Sequence, residues 1–279
     1  MSYLVTALQT FFTDYVHTQR SLSANTIASY RDTWRIFIKY LTAARGVPAD
    51  LVQLEHVDRD AVTGFLVYLR DERANSATTR NQRLTAIRSV MAYTLPDHPE
   101  HGDHIRQILA LRPAKATRPQ LHYLNAEETE ALLAAPDTST WTGRRDHALF
   151  TLAVTTGLRI SEITSLTTAQ IHLGGAPFVE CDGKGRKHRS TPINMATCDV
   201  MRGYLQERST HPGIALFPGP RGRHLSRDAV EHRLHTHLES AGRHCSTLPG
   251  KHLTFHVLRH TCAMNLLHAG VDITVISLW

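Results

Sequence analysis

Residues 112–120, RPAKATRPQ, constrain the fold more than any other stretch. Pro113 and Pro119 bracket basic side chains there. A proline ring removes a backbone donor and collides with the preceding helical turn, so no helix interior passes through this segment. Helical patterning lies on both sides of it, and 279 residues suffice for two modest cores. The texture already changes at Leu95, Pro96 and Pro99, where prolines and histidines accumulate. The expected division is a first domain over 1–97, a linker over 98–117 holding one short helix at 103–111, and a second domain over 118–279. From its residues alone, the basic segment reads equally as a solvated linker or as an extended strand along a phosphate backbone.

The first hundred residues read as an all-α bundle of four helices, beginning with 3–19. Over 23–41, Tyr30, Trp34, Phe37, Ile38 and Leu41 share one helical face, and Ser23 suits the N-cap. Arg31, Arg35 and Lys39 form a stripe on another face. A helix over 58–71 turns Val62, Phe65, Leu66 and Leu69 inward. A further helix over 76–93 buries Leu84, Ile87, Val90 and Met91 and leaves Arg80, Arg83 and Arg88 outside.

Beyond the linker, Asn125 caps a short helix, a long helix covers 142–155, and Gly157 ends it. Another helix spans 158–166. The run PFVECDGKGRKHRSTPIN has β-like character, with Gly183 and Gly185 marking a tight turn, and helices resume from Met195. The fold class expected is mainly α with one small β-hairpin.

Composition limits the function classes. No apolar run approaches the roughly 20 residues that a bilayer requires, and the N-terminus lacks the charged-then-apolar order of a secretory signal. The four cysteines form no C-x-x-C pair, which fits a reduced, cytoplasmic protein. A net charge of +6 suits a polyanionic partner without requiring one.

Four segments carry candidate chemistry: TTGLRISEITSL, DGKGRKHRSTPI, TFHVLRHTCAMNLL and the closing HAGVDITVISLW. Each has an ordinary structural reading. Arg159 can pair with Glu162 at i,i+3 on a helix surface. GKGRKHR can be an exposed turn. His256 and His260 stand at i,i+4, but Val257 occupies the place where a zincin carries Glu, and no Cys or Asp cluster surrounds them, so no metal is expected. Together the segments hold two arginines, a lysine and one or two histidines, the set that phosphodiester transfer without a metal requires. Arginine forks hold the non-bridging oxygens as negative charge develops. A lysine or histidine protonates the leaving oxygen.

The order TGLR-I-SE, then a GKG hairpin, then HxLRH, resembles the tyrosine recombinases of phage-integrase and Xer type. SANTIASYRDTWRIFIKYL is similar to the helical core-binding domain of that family. The resemblance implies an N-terminal helical, SAM-like core-binding bundle and a C-terminal catalytic domain, closed as a clamp around double-stranded DNA. It implies that Arg159 and Arg259 hold the scissile phosphate, that Lys184 on the hairpin protonates the leaving 5′ oxygen, and that His256 assists proton transfer. His260 is expected to pack or bond locally. DNA contacts are expected from Arg31, Arg35, Lys39, Arg80, Arg83, Arg88, Lys115, Arg118, Arg186 and Lys187. No cofactor is implied. The implied assembly is a homotetramer on two duplexes, serving integration, excision or resolution of mobile DNA.

The family's pattern continues past the second arginine with a His or Trp, usually within LGH, and then with the nucleophilic tyrosine. The sequence closes at Trp279, before that place, and all eight tyrosines, the last of them Tyr204, precede His256. The expectation is a C-terminally truncated recombinase that does not cleave DNA alone, with apolar Ile273, Ile276 and Leu278 short of packing partners. The competing expectations are a non-catalytic protein occupying recombination sites and a type IB topoisomerase-like enzyme. A metal-dependent hydrolase built on His256 and His260 is the most distant.

Overall fold

The computed structural model describes residues 4–19, 22–116, 122–182, 188–251 and 253–277. The chain divides into two compact units, one ending at Pro119 and the other beginning at Gln120. Each has its own apolar core.

In the first unit, α1 (Leu4–Thr10) passes at Phe11 into wider π-type turns that run to Gln19, where the sequence pattern suggests one continuous helix. The Thr10 and Thr13 hydroxyls donate back to the Thr6 and Gln9 carbonyls at 3.1 and 3.0 Å, a competition that loosens and bends a helix ladder. Helices α2 (Ala24–Arg45), α3 (Arg59–Asp71) and α4 (Ala77–Thr94) follow. Ser23, Asp58 and Ser76 cap their N-termini by accepting from the backbone N–H three residues on. Trp34, Phe37, Phe65, Leu69, Ile87 and Val90 fill the core, as the helical periodicity suggests.

The 98–117 stretch is more structured than a linker. Helix α5 (Gly102–Leu109) buries Ile105 and Ile108 in the same core as α3 and α4. Beyond it residues 111–116 hold no helix or strand, and Asn81 of α4 fastens them: the side-chain amide donates to the Ala114 carbonyl and accepts from the Ala114 N–H, both at 2.8 Å.

The second unit is built around α7 (Trp141–Thr156), with α6 (Ala126–Ala134), α9 (Met195–Arg208) and α11 (Phe255–His268) packed on it. Ala148, Leu149, Phe150, Leu152 and Ala153 are all buried along α7. Its polar start is fixed by Asp146, whose buried carboxylate accepts from Arg145, Arg233 and His237 at 2.9, 2.7 and 3.0 Å. Short helix α8 (Ile160–Ser165) leads to a three-stranded antiparallel sheet of β1 (Ile171–His172), β2 (Phe178–Asp182) and β3 (His188–Pro192). In the β2–β3 ladder Val179 faces Thr191 and Cys181 faces Arg189. Helix α10 (Arg227–Ala241) supplies Glu231, which accepts from the Phe255 N–H and so closes the start of α11. At the end, α12 (Ile273–Ser277) leaves Ile273 exposed, whereas Ile276 lines a small cleft with Gly157, Arg259 and Cys262; Leu278 lies outside the described residues.

Candidate active site

Gly157 makes the corner on which the site is built. It ends α7 in the left-handed conformation at φ 62°, and its N–H donates to the Ala153 carbonyl at 2.9 Å. A Cβ at Gly157 would stand 3.2 and 3.3 Å from the Cys262 sulfur and Cβ of α11. Glycine is therefore required twice, for its φ and for the close approach of α11. Cys262 packs there as a neutral thiol: burial pushes its pKa up to about 11, and it donates to the Thr155 carbonyl at 3.3 Å.

Arg159 follows in extended conformation as the N-cap of α8. The Glu162 carboxylate accepts from the Arg159 backbone N–H at 2.7 Å and from its Nη1 at 2.9 Å. The i,i+3 pair suggested by sequence therefore exists, but Glu162 lies in the interior while nearly half of the Arg159 side chain remains exposed. Among the described residues nothing bonds Arg159 Nε or Nη2.

Arg259, on α11, reaches the same corner. Its Nη1 donates to the Gly157 carbonyl at 2.5 Å. Burial, and then the positive charges of Arg159 and Arg189, hold its pKa below the usual guanidinium value. Guanidinium groups this close create a strong field for an anion. One turn before Arg259, His256 is exposed, and its ring centroid stands 4.4 Å from that of His260. Burial, His256 and Arg259 lower the His260 pKa. Among the described residues no group of three or more His, Cys, Asp or Glu side chains is arranged to hold a metal ion.

The other expected contact residues divide. Lys184, Arg186 and Lys187, between β2 and β3, and Arg118 lie outside the described residues. Arg31, Arg35 and Lys39 are exposed along α2, with Arg31 over the Phe12 ring at 5.5 Å and Arg35 paired with Asp32 at 2.6 Å. Lys115 is exposed next to the Asn81 clamp, and Arg80 and Arg88 are half-buried. Arg83 departs from the expected outer face. It bonds Asp32 at 3.1 Å and the Thr33 hydroxyl at 3.3 Å, tying α4 to α2 with little of its side chain exposed. A long guanidinium beside a helix–helix contact gains more from a carboxylate across the groove than from solvent.

Motif reading did not single out Arg189, which meets Arg159 at Glu162. Its Nη2 donates to Glu162 at 2.8 Å and its Nε to the Cys181 sulfur at 3.2 Å. A signal was present: Arg189 shares strand parity with buried Thr191, and a charge at an inward position needs a buried partner.

The model of the phage integrase family matches residues 122–278, and that of the phage integrase N-terminal SAM-like domain matches residues 10–96. The chain is 42% identical over 276 residues to y4rC, a candidate integrase/recombinase of Sinorhizobium fredii, covering 99% of this chain and 83% of that protein. The chain belongs to the tyrosine recombinase family. Tyrosine recombinase XerD of Listeria monocytogenes is 31% identical, with 93% of this chain and 86% of that recombinase aligned. The fold is shared with a lambda integrase tetramer solved on a Holliday junction, at a TM-score of 0.68 and 18% identity over 99% of this chain and 76% of that one. The mostly helical architecture with one small antiparallel sheet is that of tyrosine recombinases, whose chemistry is site-specific DNA recombination. Among the described residues no helix is long and apolar enough to cross a membrane.

Proposed function

We propose that this recombinase chain grips duplex DNA with both units and holds one backbone phosphate between Arg159 and Arg259. The observation that carries the reading is the convergence of two guanidiniums on the Gly157 corner, each with donors unbonded among the described residues. Bound there, a phosphodiester presents its non-bridging oxygens to rigid forks. When a nucleophile attacks phosphorus and the bond to the 5′ oxygen breaks, charge builds on those oxygens and the forks stabilise it. Lys184 gives its proton to the departing 5′ oxygen, and His256 assists from the exposed face of α11. Arg31, Arg35 and Lys39 on α2, half-buried Arg80 and Arg88, Lys115 and Arg118 along the connecting segment, and Arg186 and Lys187 beside the hairpin lysine add phosphate contacts. The first 119 residues act as the core-binding unit and the remainder as the catalytic unit.

A phosphotyrosine intermediate needs a tyrosine hydroxyl free to reach the phosphate. Tyr204 cannot substitute: it is buried, its hydroxyl donates to the Leu216 carbonyl at 2.8 Å, and burial raises its pKa. By likeness to the lambda integrase assembly, the DNA-bound form is a tetramer. Retention of a labelled duplex in a native gel tests the reading. The expected result is a salt-sensitive complex that Arg159→Ala and Arg259→Ala each weaken; retention unchanged in both variants would refute a phosphate held between them.

A further inference from the structure

The Arg159 corner and the sheet meet at a single buried carboxylate. Glu162 Oε2 accepts from the Arg159 backbone N–H at 2.7 Å and from Arg189 Nη2 at 2.8 Å, while Oε1 accepts from Arg159 Nη1 at 2.9 Å. Arg189 is held from its other side as well, because its Nε donates to the sulfur of Cys181, its register partner across the β2–β3 ladder. The Glu162 side chain is 4% exposed and that of Arg189 18%. An enclosed carboxylate needs each of its cationic partners in place, and removing one disturbs the geometry of the rest.

We propose that Arg189 is a positioning residue that acts through Glu162, locking β3 to the start of α8 so that the Arg159 guanidinium keeps its aim at the phosphate. This rests on the phosphate-binding reading above. Arg189 is mostly buried and directs its Nε and Nη2 at Cys181 and Glu162, so its effect on the phosphate runs through Glu162.

Two measurements on the full chain test it. Hydrogen exchange of the Arg159 amide needs no DNA. Arg189→Gln is expected to speed it at least tenfold, with a smaller change in Arg189→Lys, which keeps the charge beside Glu162 but cannot also reach Cys181. The second is a double-mutant cycle on affinity for a generic 30-base-pair duplex at low salt. Arg159→Ala and Arg189→Gln are each expected to weaken binding several-fold, and the double variant to bind within twofold of Arg159→Ala. An Arg159 amide unchanged in both Arg189 variants overturns the proposal. Multiplying effects in the cycle also overturn it, because Arg189 then contacts the DNA itself. If Arg189→Gln does not fold, Arg189→Lys carries both measurements. Failure of the unsubstituted chain to bind duplex would remove the phosphate reading, while the exchange measurement would still decide the coupling.

Discussion

Single side chains at the Gly157 corner have the sharpest consequences. Gly157→Ala forces a Cβ into the left-handed region and against Cys262, so a loss of about 1–2 kcal/mol is expected in thermal or denaturant melts. His260 gives a pH signature. Its folded-state pKa lies below the ordinary 6.5, so its contribution to stability is complete above about pH 6.5 and is lost as pH falls through the lower folded value. His260→Gln is expected to flatten stability between pH 7 and 5 relative to the unsubstituted chain, and equal slopes in the two melts would contradict this. At this scale the motif residues Arg159, His256 and Arg259 were legible because short patterns fix them. Arg189 and the enclosure of Glu162 were not, since both depend on the register of a hairpin against a helix start 27 residues away in sequence.

Among the elements, helix boundaries followed caps that can be read directly. Ser23, Asp58, Ser76 and Asn125 each open a helix by accepting a backbone N–H. Asp58→Ala is expected to cost about 1 kcal/mol, measurable by denaturant titration, because α3 loses its cap. The π-type continuation of α1 was hidden, because threonine back-bonding is a local competition that apolar periodicity does not register. The 98–117 stretch was understood only in part. Its prolines stop helices, yet Ile105 and Ile108 give α5 enough apolar surface to join the first core. Past α5 the paired bonds from Asn81 hold Ala114. Asn81→Ala is expected to hasten tryptic cleavage at Arg112 and Lys115 several-fold without lowering the global melting temperature, since the released segment is exposed.

The molecule as a whole is two cores joined by one basic connection. Because the first core closes on its own side chains, residues 1–116 expressed alone are expected to melt cooperatively with helical circular dichroism, and a non-cooperative melt would contradict an independent unit. Net charge said little at this scale: +6 is compatible with many partners. What pointed to DNA was the order and spacing of the motifs that carry Arg159, Lys184, His256 and Arg259, and the folded second unit brings Arg159 and Arg259 to one corner. The measurement that bears most directly on this is duplex affinity across 50–200 mM salt for the chain, Arg159→Ala and Arg259→Ala. Binding through several phosphates predicts a steep linear fall in log affinity with log salt, and each substitution is expected to reduce that slope by about 1. A salt-independent affinity, or slopes untouched by both substitutions, would contradict a phosphate held between these two arginines.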